Sequence, residues 1–106
     1  MKNVVRWGLL GLTALSLPAW PGPDVNAGME KANTCMGCHG IPGYNNVYPT
    51  YRVPKIGGQS PAFLEAALKA YRSGERPHPT MKAQAAGMSD QDIADIAAYL
   101  ATAPAK

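Results

Sequence analysis

Two stretches of the chain carry apolar residues at helical spacing, and polar segments with no period separate them. Over residues 62–73, Phe63, Leu64, Ala67, Leu68 and Tyr71 recur on one face. Ser60 stands as the N-cap, with Pro61 at the first helical position and Gly74 as the stop. Glu65 and Lys69, four apart, predict an exposed ion pair. The second stretch follows Ser89, with Ile93, Ile96, Ala97 and Leu100 as its buried stripe. Ser89 and Asp92 form a capping box of the Ser-x-x-Asp kind, and Pro104 ends the helix. Ala94, Ala97 and Ala98 would let another helix approach closely.

Residues 29–35 predict a short helix as well. Residues 40–53 hold two glycines and two prolines around paired asparagines and read as loop, and Gly57-Gly58-Gln59 reads as a turn. Residues 75–80 also read as loop, and residues 81–86 as one short turn closed by Gly87. No alternating pattern predicts a strand. The expected fold is therefore all-α: a small domain of three main helices with long loops.

The first 27 residues differ in kind. Lys2 and Arg6 precede an uncharged apolar run over residues 7–19, which suits a secretory leader and falls short of the roughly 20 residues a membrane span needs. Val25-Asn26-Ala27 offers small residues before a cut, so residues 1–27 are expected to be a cleavable signal peptide and residues 28–106 the domain. A cut after Ala19 is the alternative, with bulky Leu17 at a position that prefers small side chains. Export to the periplasm follows, with no stable membrane insertion of the mature chain.

A domain of this size has a marginal hydrophobic core and usually adds a staple such as a disulfide or a metal. From Gly28 on, eight Lys and Arg stand against six Asp and Glu, dispersed along the chain. That is not the basic pattern of a nucleic-acid binder.

The chemistry is concentrated in Cys35-Met36-Gly37-Cys38-His39. A C-x-x-C-H run reads as the covalent attachment of a c-type haem. Two thiols three positions apart can each form a thioether to one vinyl group of the same macrocycle, and His39 is then held beneath it as an axial iron ligand. A thioredoxin-like redox pair would need a βαβ context, a structural zinc site a second pair of ligands, and a disulfide a less strained loop. Covalent haem would itself be the staple that so small a core needs.

Iron held by His39 has one axial position left. Met81, Met88 and His78 compete for it, as does an open site. Met81 follows Pro79 in a loop and has no obvious helix to pack into, whereas Met88 stands where an apolar residue staples a helix start. A thioether opposite an imidazole raises the reduction potential, as suits an electron carrier. Tyr44, Tyr48, Tyr51 and Arg52 are candidates for covering the haem edge or bonding its propionates.

Several segments together carry a family resemblance: the Cys35–Gly40 run, Pro54-Lys55-Ile56-Gly57-Gly58-Gln59, Ala70-Tyr71-Arg72-Ser73-Gly74-Glu75-Arg76, Met81, and the ending from Met88 to Leu100. The chain resembles the class I monohaem bacterial cytochromes c, similar to cytochrome c553 or to a single domain of the dihaem cytochromes c4. The resemblance implies thioether attachment at Cys35 and Cys38, with His39 and Met81 as axial ligands. It also implies that the Pro54 carbonyl accepts from the free ring nitrogen of His39. The implied function is one-electron transfer between redox partner proteins that dock transiently, with no catalytic residue. A haem-bearing subunit of a larger dehydrogenase or oxidase, or less readily a haem ligand sensor, is the alternative. Two departures stand out: Met88 replaces the family's Leu, and the loop over residues 41–53 is long and rich in tyrosine.

Overall fold

The structure is a computed structural model that describes Gly8, residues 11–19 and residues 21–103. The expected n-region of the leader, Trp20 and the Pro104 stop lie outside the described residues. Five helices and one hairpin follow in order: α1 (Val25–Lys31), α2 (Asn33–His39), β1 (Asn45–Val47), β2 (Thr50–Arg52), α3 (Pro61–Ser73), α4 (Pro79–Ala85) and α5 (Asp90–Thr102).

The two longest helices begin and end as their sequences dictate. The Ser60 hydroxyl accepts from the Phe63 amide at 3.1 Å, Pro61 occupies the first turn, and Gly74 closes α3 at φ +83°. On α5 both halves of the capping box are made: Asp92 N–H to Ser89 Oγ, and Ser89 N–H to Asp92 Oδ2, each 3.0 Å. Lys69 donates to Glu65 at 2.7 Å.

Three expectations change in detail. The N-terminal helix is two helices, broken at Ala32, which is fully buried. The turn expected at 81–86 is a full helix that starts earlier, at Pro79. The loop over residues 41–53 folds into an antiparallel hairpin, Asn45 opposite Arg52 and Val47 opposite Thr50, turning through Tyr48 and a cis Pro49. Val47, Thr50 and Tyr51 favour extended backbone, and strands of three residues leave no alternation to read. The domain remains mostly helical.

The core is small. Leu64 and Leu68 of α3 meet Ile93, Ile96, Ala97 and Leu100 of α5. The helix α1 crosses α5 at Gly28, where a Cβ would lie 2.0 Å from the Asp95 carbonyl oxygen and 2.9 Å from Tyr99 Cβ. Only a residue without a side chain permits backbone to meet backbone so closely. Gly28 on α1 is therefore a small residue that the crossing requires.

Beside the crossing lies Asp95, the one buried charged side chain among the described residues. It accepts from Lys31 Nζ at 2.7 Å, the Asp24 amide at 2.8 Å and Gln91 Nε2 at 2.8 Å. These bonds, Lys31 first and Asp24 next, hold its carboxyl below the usual range. Lys31 also bridges to Asp92 at 2.9 Å. Asp92 is held down to about 2, chiefly by the Ser89 amide and then by Lys31. Lys31 is raised by the same two partners, Asp95 foremost.

Asp24 does double duty, since its carboxylate caps α1 by accepting from the amides of Asn26 and Ala27. The Ala27–Gly28 bond, where a leader cut is expected, thus lies in the middle of a helix whose cap is Asp24.

Candidate functional site

The helix α2 carries the attachment motif, and none of its residues is buried. Among the described residues it packs against no helix except α1. Its inner face instead borders a cavity of about 500 Å³, within the range of cofactor sites. Cys35, Cys38 and His39 stand on that wall. Cysteines at i and i+3 share one helical face, so both sulfurs can reach one planar partner. Both thiols are free of disulfide bonding.

Burial pushes the Cys35 thiol above its ordinary value. That opposes a thioredoxin-like role, which calls for a stabilised thiolate. A zinc centre also lacks support, since no three His, Cys, Asp or Glu side chains gather among the described residues.

His39 is oriented from behind. Its Nδ1 donates to the Pro54 carbonyl oxygen at 2.6 Å, which leaves Nε2 as the nitrogen available to a metal. Pro54 is delivered by the hairpin: it follows buried Val53, whose amide bonds the Tyr44 carbonyl at 3.0 Å.

The rest of the wall is apolar. Leu64, Leu68, Ile96 and Leu100 border the cavity from the core, and Phe63, 54% exposed, stands at its rim. A ring-shaped apolar group tethered to Cys35 and Cys38 fits this arrangement: a motif helix with its inner face on the cavity, an imidazole fixed with one nitrogen free, and hydrophobic walls. The chemistry of the donor set agrees, with two thiols for covalent linkage and one imidazole.

Met81 lies on the same cavity, half-buried on α4 and packed against the core. Met88 also borders it, but its backbone is committed elsewhere. Its carbonyl accepts from Arg72 Nη1 at 3.0 Å, while Arg72 Nη2 holds Asp90 at 2.7 Å, pinning the start of α5.

His78 reaches the cavity too, with its Nδ1 occupied by the Met81 amide. Of the aromatic loop residues, Tyr51 borders the cavity with Arg52, whereas Tyr48 is 96% exposed. Sequence reasoning named Tyr51 and Arg52 but missed Asn46, which joins them on the hairpin wall of the cavity. It also missed the capping of α4 by His78, although Pro79 after a polar residue is the ordinary mark of a helix start.

Comparison with known proteins adds the following. The Cytochrome c family model matches residues 26–104. Cytochrome c-554(548) of Halomonas halodenitrificans is 47% identical over 79 residues, 72% of this chain and 92% of the relative. Cytochrome c4 of Pseudomonas aeruginosa is 40% identical over 93 residues, 88% of this chain and 43% of the relative, so the chain spans less than half of that protein. Among solved structures, reduced recombinant cytochrome c4 from Pseudomonas stutzeri superimposes with a TM-score of 0.53 at 24% identity, over 81% of this chain and 53% of that one. That likeness concerns the fold.

Proposed function

The chain belongs to the cytochrome c family and is a haem c electron carrier, and from that premise we propose that it works as an exported one-electron shuttle with iron held between His39 and Met81. Bound haem supplies a single reversible redox couple at its iron. The chain's residues do the rest. Cys35 and Cys38 would tether the ring, His39 would give Nε2 to the metal, and the Pro54 carbonyl fixes the orientation of the imidazole. Met81 supplies a thioether from α4, and Leu64, Leu68 and Ile96 keep water from the ring. With His39 and Met81 both holding the group, its metal would be closed to substrate, and the protein would carry electrons rather than act as an enzyme by itself.

The observation that carries this reading is the 2.6 Å bond from His39 Nδ1 to Pro54, on a cavity that Cys35, Cys38 and Met81 share. Electron partners would dock at the exposed rim around Cys38 and Phe63, in the small and weak interfaces that suit rapid exchange.

Export to the periplasm rests on the apolar leader, and no helix among the described residues is long and apolar enough to cross a membrane. The geometry at Asp24 favours a leader cut upstream of it, at the Ala19–Trp20 bond. A cut after Ala27 would remove the cap of α1 and one of the three partners of buried Asp95.

The test is the absorption spectrum of the exported protein, oxidised and then reduced. Haem bands with a weak sulfur-to-iron band in the ferric state are expected. Haem bands without it would put another ligand or an open site opposite His39, and no haem bands would sink the reading. Gel filtration of a native extract distinguishes a free shuttle from a fixed subunit, which would elute far above the mass of this chain.

A further inference from the structure

His78 sits between two prolines, just before a helix, and its side chain is nonetheless engaged through Nδ1 and its aromatic neighbours. Its Nδ1 accepts from the Met81 amide at 3.3 Å, and its carbonyl accepts from the Lys82 amide at 2.8 Å. It is thus the N-cap of α4, the helix that carries Met81. Histidine is an unusual cap, since Asn, Asp, Ser and Thr hold helix starts better.

The ring explains the choice. It meets Tyr51 of the hairpin edge-on, with centroids 4.8 Å apart, and Tyr71 of α3 at 6.0 Å. Arg76 lies over the other end of this stack, 4.7 Å from the Tyr71 centroid. All four side chains border the cavity. A smaller cap would hold the first turn of α4 but would leave that turn untied to the hairpin and to α3.

We propose that His78 is a positioning residue for Met81: its cap fixes the backbone at residue 81, and its ring clamps that turn to Tyr51 and Tyr71, so that the thioether stays directed into the cavity. The inference rests on Met81 being the second axial ligand. The helix α4 has seven residues and fully buries only Ala85, so the cap and the ring contacts of His78 add to the packing of Met81 on the core in holding its first turn. Short helices are marginal without such support. The proposal gives His78 a role other than ligation: with Nδ1 accepting from the Met81 amide, the neutral ring carries its proton on Nε2, which then has no lone pair for a metal.

Three variants of the haem-loaded protein separate the contributions. His78→Phe keeps a ring and loses the acceptor, His78→Asn keeps an acceptor and loses the ring, and His78→Ala loses both. The readouts are the sulfur-to-iron band of the ferric protein, carbon monoxide binding to the ferrous protein, and the reduction potential. Loss of a cap of ordinary worth raises the population with Met81 detached by roughly 2- to 30-fold. His78→Phe should therefore bind carbon monoxide more readily by that factor, with a weakened band and a lower potential. His78→Asn should recover most of the band, and His78→Ala should be the loosest. Ligand binding and potential unchanged from wild type in His78→Phe and His78→Ala would overturn the proposal.

If the Phe and Ala variants do not accumulate, His78→Asn decides alone: a band near that of wild type supports the cap, and complete loss of the band overturns it. Met81→Ala, run in parallel, tells the two failures apart. If it keeps the wild-type spectrum, Met81 is not the ligand and the positioning role falls with that reading. If it loses the band while every His78 variant keeps it, only the positioning role fails.

Discussion

The Cα of Gly28 rests against the backbone carbonyl of Asp95, so close that a methyl group there would stand 2.0 Å from the oxygen. Neither partner is a flexible side chain that could yield. Gly28→Ala must push α1 off α5, and overpacking of this kind costs about 1–3 kcal/mol or more. A urea titration should show a lower midpoint for Gly28→Ala, and an unchanged midpoint would mean that the helices cross less tightly than described.

The leader cut is read by mass. If Asp24 stays in the mature protein, whole-protein mass spectrometry of the exported form will give a chain that begins upstream of it. Asp24→Ala should then cost about 0.5–2 kcal/mol of stability, since it removes the cap of α1. A mature chain beginning at Gly28 would show instead that the domain does without that cap.

Acid should loosen the clasp between the two ends of the domain. Asp92 is held at about 2 by the Ser89 amide and Lys31, and Asp95 is lowered by Lys31 and the Asp24 amide. An unfolded aspartate takes up its proton near pH 3.9, as measured in model peptides. Between that value and about 2 the unfolded chain binds more protons than the folded one, so stability falls as the pH is lowered through this window. It is fully present above the window. Asp92→Asn should be less stable at neutral pH and lose less on acidification, which thermal melts across pH 2–6 would register.

At the cavity, Met81→Ala should leave a coloured protein with a lower potential, no sulfur-to-iron band and new binding of carbon monoxide. Met88→Leu should change none of these, since the hold of Arg72 on residue 88 is on its backbone carbonyl. If Met88→Leu abolishes the band, the two methionines exchange roles.

Removing both tethers tests the staple. Cys35→Ala with Cys38→Ala should give a colourless chain with little helix by circular dichroism, because α2 and the apolar cavity walls then have nothing to pack on. A folded, cooperative apoprotein would contradict this.

The features legible in the sequence were local ones. Ser60 with Pro61, the Ser89–Asp92 box and Gly74 each act within one turn of their own residue, so spacing alone places them. The attachment run is likewise contiguous. The features that escaped are those whose partners lie far along the chain. Asp95 reads as a solvent-facing charge until Lys31 and Asp24, 64 and 71 residues away, close over it. The hairpin hides because two strands of three residues, dense in Asn and Tyr, carry no period. His78 reads as loop because its aromatic neighbours, Tyr51 and Tyr71, come from separate elements.

The bond from His39 to Pro54 has a kinetic consequence. When one charge is added to or removed from a metal, every atom that must shift in response raises the barrier to the exchange. The acceptor behind His39 is main chain with a ring-locked dihedral. It has no rotamer to change and no amide hydrogen to redirect. The imidazole can therefore stay where it is in both oxidation states, so this side of the centre adds little reorganisation energy and each transfer can be fast in either direction.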